Sequence, residues 1–204
     1  MAKTLDRTIE LARWFDKDGN ETKVTIQQYL DFVENKDRTK IANFIYQRLY
    51  SRYLKPFLFD NPEFVRQFKN GFSIMANCCL LIETLQSFKN GWGDSDRKSS
   101  QAFKQFFTSE TKFTVFKNKE QEFYKNIRCG ILHQGETTGG WTVNRSGRKL
   151  FDDKKLVVDS VSFAKQLDIS LENYSKKLKT AEWDSELWDN FRTKMRKIIS
   201  NCER

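Results

Sequence analysis

One long apolar stretch, enclosed by residues that start and stop helices, constrains the fold more than any other feature of this 204-residue chain. Asn61 suits an N-cap and Pro62 the first helical position, whereas Asn90 and Gly91 suit the far end of a helix. Between them, apolar residues recur at helical spacing on two adjoining stripes: Phe64, Phe68, Met75, Cys79 and Ile82, then Ile74, Cys78, Leu81, Leu85 and Phe88. The pattern predicts a single central helix over residues 62–88, with neighbours on two sides.

Interruptions are rare in the rest of the chain as well, with two prolines and nine glycines in total. Thr25 is a suitable N-cap for a helix over Ile26–Glu34, and further periodic segments cover residues 39–54, 160–178 and 184–202. Few breaks and long periodic segments favour an all-α fold, a helical bundle with long antiparallel helices. We expect one domain over residues 1–204, in which residues 1–24 form an N-terminal arm or helix.

A different composition follows Gly135, where small and polar residues replace the helical pattern. Two short β-prone runs at 141–143 and 149–151 flank the segment Asn144-Arg-Ser-Gly147, whose asparagine and glycine tolerate the positive φ of tight turns. The sequence therefore predicts one small β-hairpin near residues 141–151, within a loop and hairpin insertion over residues 135–155.

Charge and cysteine usage narrow the classes of partner and compartment. The net charge of +9 favours contact with polyanions such as nucleic acid, although the basic segment over residues 36–55 is better explained as a solvated helix face. Four cysteines without CxxC pairing, and no secretory leader, predict reduced thiols in a cytoplasmic protein. No window of about 18 apolar residues occurs, so no membrane span is expected.

The chain's single histidine, His133, stands five residues after Arg128 in a segment predicted to be helical from about Asn118. Histidine can take and release a proton near neutral pH, and arginine is a fixed cation suited to phosphate. Cleaving RNA without a metal needs both proton transfer and stabilisation of negative charge on phosphorus. On an α-helix, however, residues five apart diverge by about 140°. The helix must therefore end or loosen near His133, or a second subunit must complete the site.

The sequence gives less support to other kinds of active site. It contains no phosphate-binding loop, dinucleotide fingerprint, nucleophile elbow or HExxH motif, and one histidine removes most zinc arrangements. Asp152 and Asp153 are best explained as surface charge balanced by neighbouring lysines. A nucleophilic pair of Cys129 and His133 is conceivable, but it ranks below a phosphate-handling pair because no third group orienting the histidine is evident.

The segment Arg128-Cys-Gly-Ile-Leu-His133 resembles the motif of the HEPN superfamily, in which a histidine follows an arginine after four to six residues. The resemblance implies a helical, metal-independent endoribonuclease without a cofactor, commonly a homodimer, of the kind found in toxin-antitoxin and antiviral (abortive-infection) systems. It implies RNA as substrate, Arg128 on the scissile phosphate, His133 as general acid or base, and a neutralising antitoxin or other defence protein as a further partner.

Two features of the motif leave alternatives open. Many HEPN members carry Asn, Asp or His directly after the arginine, where this chain has Cys129. Some members bind without cutting, so a non-catalytic module that binds nucleic acid or a protein is the second hypothesis. The simplest structural explanation is a histidine that ends a helix while Arg128 makes an ordinary ion pair.

Overall fold

The apolar stretch after Asn61 forms two helices rather than one in the computed structural model, which describes residues 4–203. Helix α3 (Pro62–Gln67) starts as expected, because the Asn61 side chain accepts a hydrogen bond from the Phe64 amide at 3.0 Å. The chain then leaves helical geometry before α4 (Gly71–Lys89). The prediction of an unbroken helix over 62–88 is wrong, because Asn and Gly at positions 70 and 71 favour a new helix start over a helix interior.

The remaining helices agree with the periodic segments. They are α1 (Ile26–Glu34), α2 (Arg38–Tyr53), α5 (Ser99–Ser109), α6 (Glu120–Phe123), α7 (Ser160–Thr180) and α8 (Glu186–Ser200), and a π-helix (Tyr124–Gln134) continues α6. Short 3-10 turns cover Lys55–Phe57 and Thr111–Phe116. The start of α1 is confirmed in detail, since Thr25 and Gln28 form a reciprocal capping box.

The N-terminal segment contains a β-hairpin, so the helix among the two alternatives predicted for residues 1–24 is wrong, and the arm stays a prediction; residues 1–3 lie outside the described part. Strand β1 (Glu10–Phe15) pairs antiparallel with β2 (Glu21–Thr25). Asp16 closes the connecting turn by accepting hydrogen bonds from the Asp18 and Asn20 amides at 2.8 and 2.9 Å. The buried residues of β1, Leu11 and Ala12, are consecutive, so the alternation expected of a strand is not visible in the sequence.

The hairpin predicted near residues 141–151 is also wrong. Strands β3 (Thr142–Asn144) and β4 (Phe151–Asp152) lie on opposite sides of β5 (Val157–Asp159), which pairs parallel with β3 and antiparallel with β4. The buried Asp159 carboxylate accepts hydrogen bonds from Ser146 Oγ at 2.8 Å and from the Gly147 amide at 2.9 Å. These bonds attach the turn to β5, so β3 and β4 do not meet.

The fold class is therefore mostly α-helical with two small sheets, one of two strands and one of three, among residues 4–203. This corrects the expectation of an all-α bundle with a single hairpin. In the described chain, no helix is both long enough and apolar enough to cross a membrane.

Residue contacts divide the chain into two compact units. The first takes in the chain up to Arg52, Ser87–Asp94 and the chain from Leu171 onward. The second takes in Tyr53–Gln86 and Ser95–Ser170, and it contains Arg128 and His133. The single domain expected over residues 1–204 stays a prediction.

Aromatic rings form the core of the second unit. Phe123, at the end of α6, packs edge-on against Phe107 at 4.9 Å and lies parallel to Phe163 at 5.5 Å between ring centroids. The other buried rings of this cluster are Phe103, Phe106, Phe113, Phe116, Trp141 and Phe151. Because Phe123 directly precedes the π-helix, this core fixes where the segment carrying Arg128 begins.

Cys78 and Cys79 of α4 are fully buried, as the apolar stripes predict. Burial raises the pKa of both thiols, so they stay uncharged at neutral pH. They are core residues of the central helix.

Candidate functional site

The segment that carries Arg128 and His133 is a π-helix, in which each amide bonds to the carbonyl five residues earlier. The helical segment as a whole, α6 followed by the π-helix, starts at Glu120 rather than near Asn118, because Asn118 has a left-handed backbone (φ 65°). It ends one residue after His133, with Gly135 at φ 73° as its C-cap. The helix end expected near His133 is confirmed. π-Helical turns are rare, and they occur frequently at functional sites.

This winding brings the arginine and the histidine together. Residues five apart lie above one another on a π-helix, as residues four apart do on an α-helix. Arg128 Nη1 lies 3.0 Å from His133 Nε2. The divergence of about 140° calculated for an α-helix therefore does not apply to this pair.

The direction of this hydrogen bond follows from the chemistry of the two groups. A guanidinium can only donate, so Nε2 of His133 must accept from Nη1 of Arg128. A hydrogen bond in this direction requires the imidazole tautomer that has its hydrogen on Nδ1. His133 itself is exposed. The Nε2 lone pair of His133 thus points at the guanidinium of Arg128, and an anion bound to Arg128 would lie next to this nitrogen.

Glu83 of α4 fixes the other side of the arginine. Its Oε1 accepts from Arg128 Nε at 2.8 Å, and its Oε2 accepts from Ser99 Oγ at 3.0 Å. The side chains of Arg128 and Glu83 are only 14% and 9% exposed, so this ion pair is largely removed from water. Burial acts to lower the pKa of Arg128, but the hydrogen bond and charge of Glu83 outweigh it and raise the pKa above its ordinary value.

The sequence alone leaves open whether Glu83 faces solvent or the Arg128 motif, because Glu83 lies 45 positions before Arg128. A carboxylate among the buried stripes of α4 was the available signal, since a charge on an apolar face is rarely buried without a partner.

Tyr124 and Cys129 complete the surroundings of Arg128. The guanidinium carbon lies 5.7 Å from the centroid of the Tyr124 ring, within the range of a cation-π contact. Burial, followed by the neighbouring Cys129 side chain, raises the pKa of Tyr124. Within residues 4–203 no bond joins Cys129 to His133, so the nucleophilic pair considered from the sequence has no contact to support it.

The loop after the π-helix packs back against it through close approaches at two glycines. A Cβ on Gly130 would lie 2.5 Å from the Glu136 carbonyl oxygen, and one on Gly139 would lie 2.6 Å from Asn126 Oδ1. Thr138 fastens the loop further, because its amide donates to the Asn126 carbonyl at 3.1 Å and its hydroxyl to Asn126 Oδ1 at 2.9 Å. The loop therefore follows the path of the helix backbone closely.

Replacing Gly130 with alanine is expected to lower the free energy of unfolding by about 1–3 kcal/mol, because the added methyl group overlaps a backbone oxygen that cannot rotate away. Chemical denaturation of the purified protein measures the change. Gly93 provides the control, since its added Cβ would meet only ordinary contacts, at 3.5 Å or more from Lys197. Equal stability losses at the two glycines would show that the loop does not press on the π-helix.

Within residues 4–203, no group of three or more metal-ligating side chains of the His, Cys, Asp and Glu types lies close enough together to hold an ion. Comparison with protein-family models, with curated proteins and with solved structures finds no match for this chain.

Proposed function

We propose that the protein is a metal-independent endoribonuclease of HEPN type, with Arg128 on the scissile phosphate and His133 as general acid or base. The observation that carries the proposal is the 3.0 Å contact between Arg128 Nη1 and His133 Nε2. An arginine held by a carboxylate on one side and facing an exposed histidine on the other is suited to bind a phosphate beside a group that transfers protons.

The chemistry of the proposed reaction needs no further reactant than RNA. A phosphate oxygen takes the place of Nε2 as the acceptor for Arg128, which frees the histidine lone pair. His133 can then take the proton of the 2′-hydroxyl, whose oxygen attacks phosphorus while the bond to the 5′-oxygen breaks. The leaving 5′-oxygen takes up one proton, from water or from the His133 of a second copy, which balances the proton lost by the 2′-hydroxyl. The products are a 2′,3′-cyclic phosphate and a 5′-hydroxyl. Arg128 stabilises the charge that builds up on the phosphate.

A homodimer remains part of the proposal, for a different reason than the helix geometry first suggested. The π-helix already joins Arg128 and His133 within one chain, so no partner is needed to bring them together. The reaction, however, takes one proton and gives another, and the chain has one histidine. Two copies facing each other would supply one histidine for each transfer.

The biological setting comes from the resemblance of the motif. A toxin or antiviral effector that cuts RNA in the cytoplasm, held in check by a neutralising protein, fits such a nuclease. The basic charge of the chain also favours encounter with RNA.

The proposal is tested by incubating the purified protein with labelled single-stranded RNA and, separately, with DNA of the same sequence, in excess EDTA. We expect cleavage of RNA only, with cyclic phosphate ends identified by mass spectrometry. DNA cleavage, or loss of activity in EDTA, would contradict a mechanism that depends on the 2′-hydroxyl and no metal. Binding of RNA without turnover would instead support the non-catalytic module.

A further inference from the structure

Arg145 is held in place by the chain on both sides of the break between α3 and α4. Its side-chain stem passes over Gly71, where a Cβ would lie 3.2 Å from the arginine Cγ and Cδ. Its Nη1 donates to the Val65 carbonyl at 2.7 Å and lies 3.5 Å from Asn70 Oδ1. The guanidinium thus has a fixed position before any ligand arrives.

The rest of this guanidinium is available. Among the described residues, Nε and Nη2 of Arg145 make no hydrogen bond, and no carboxylate lies within ion-pair distance of the group. Arginine presents its donors in a planar fork that matches a phosphate group. A fixed fork with unused donors is suited to bind an anionic oxygen.

Two open clefts meet at Arg145, which lines both of them. One has a volume of about 440 Å³ and is also lined by Arg66 and Lys165, with Asp60 as its acidic residue. The other has a volume of about 590 Å³ and is lined by Lys69, Phe72 and Asn144, among others. We call the two clefts together the Arg145 groove.

The charge of the Arg145 groove is only partly balanced. Arg66 forms an ion pair with Glu63 at 2.6 Å. Lys69 and Lys165, by contrast, form no ion pair with any carboxylate of residues 4–203. With Asp60 as the acidic residue facing three unneutralised cations, the groove favours a polyanion.

One aromatic residue, Phe72, lines the groove, and a second, Phe68, directly precedes Lys69 in the chain. The break after α3 leaves Phe68 50% exposed, with its ring centroid 4.6 Å from that of Phe64. Phe72 faces the larger cleft. Positively charged grooves with exposed aromatic rings are typical of proteins that bind single-stranded nucleic acid, because phosphates bind the cations and unpaired bases stack on the rings. A duplex keeps its bases stacked on one another and cannot use such rings.

We propose that the Arg145 groove binds a single strand of RNA, with phosphates at Arg145, Lys69 and Lys165 and bases at Phe68 and Phe72. The choice of RNA rests on the proposed function. Gly71, under the Arg145 stem, and Glu83, which holds Arg128, are twelve residues apart on α4, or about 18 Å. A strand of several nucleotides is long enough to cover that distance, so the groove would position RNA for the nuclease site.

Fluorescence anisotropy tests the proposal with a labelled twelve-nucleotide uridine strand carrying 2′-O-methyl groups, which cannot be cleaved at these positions. For the double variant Lys69→Ala and Lys165→Ala, we expect weaker binding. The slope of log K against the logarithm of the salt concentration should also be smaller in magnitude by about 1.4, because two phosphate contacts are lost. Phe68→Ala should weaken binding by about 5- to 140-fold. A double variant of two exposed lysines elsewhere, Lys17→Ala and Lys154→Ala, should bind more like the wild type.

Binding by the groove variants with wild-type affinity and salt dependence would overturn the proposal. So would equal affinity for a duplex of the same length, or binding to phosphatidylserine vesicles without binding to RNA. Cleavage separates this proposal from the nuclease. If the groove variants lose binding while His133→Ala still cuts RNA, the groove proposal stands and the nuclease assignment fails. If the groove variants bind and cut normally while His133→Ala is inactive, the nuclease assignment stands and the groove proposal fails.

Discussion

His133→Ala is expected to lower the rate of RNA cleavage by about 10²- to 10⁴-fold, the usual contribution of a positioned general acid or base. The side chain is exposed, and its hydrogen bond to Arg128 Nη1 is its only one among residues 4–203. Its loss should therefore change the free energy of unfolding by less than about 1 kcal/mol. Single-turnover cleavage rates and denaturation curves of the same preparations measure the two effects.

Gln134→Ala is the matched control, because Gln134 is the next exposed residue of the same π-helix and is not part of the proposed chemistry. It should cut RNA at close to the wild-type rate. Binding of the uncleavable strand should be nearly equal for both variants. If His133→Ala cuts as fast as Gln134→Ala, His133 does not transfer protons in the reaction.

Glu83→Ala is expected to lower the free energy of unfolding by about 3–5 kcal/mol, because it leaves the charge of Arg128 in a largely buried position without its partner. Cleavage should fall as well, since the guanidinium loses the group that aims it at His133. Glu83→Gln keeps the size of the side chain and an acceptor for Ser99, so it should be more stable than Glu83→Ala while remaining less active than the wild type.

Glu63→Ala is the control for this ion pair. Glu63 pairs with Arg66 at 2.6 Å, but the two side chains are 62% and 73% exposed. Exposed pairs contribute little to stability, because water screens their charges, so this loss should be small. Comparable destabilisation by the two alanine variants would mean that water reaches the Glu83 pair as freely as the surface pair, and that Glu83 does not anchor the site.

Local sequence signals predicted the elements whose ends depend on neighbouring residues. Thr25 caps α1 through Gln28, three positions away, and Asn61 caps α3 through the Phe64 amide. Such contacts are encoded within a few residues, so caps can be recognised without the fold. A helix end near His133 was one of the two alternatives expected from the sequence, and Gly135 provides it two positions later.

The winding of that helix and the anchor of its arginine depend on distant residues instead. The loop bonds to Asn126 from Thr138, and Glu83 meets Arg128 from another helix. The sheet was mispredicted for the same reason, because β5 enters between two strands that both precede it in the chain and Asp159 holds the turn between them. Periodicity in a short window cannot report contacts of this kind.

The π-helix also makes the geometry of the site depend on the number of residues between Arg128 and His133. On this winding, a separation of five residues places Arg128 beside His133, whereas on an α-helix the same two residues would lie on different sides. A substitution among the four intervening residues keeps that register, but an insertion or deletion of a single residue moves His133 around the helix axis. The number of residues between the arginine and the histidine is therefore part of the site, in the same sense as the two side chains are.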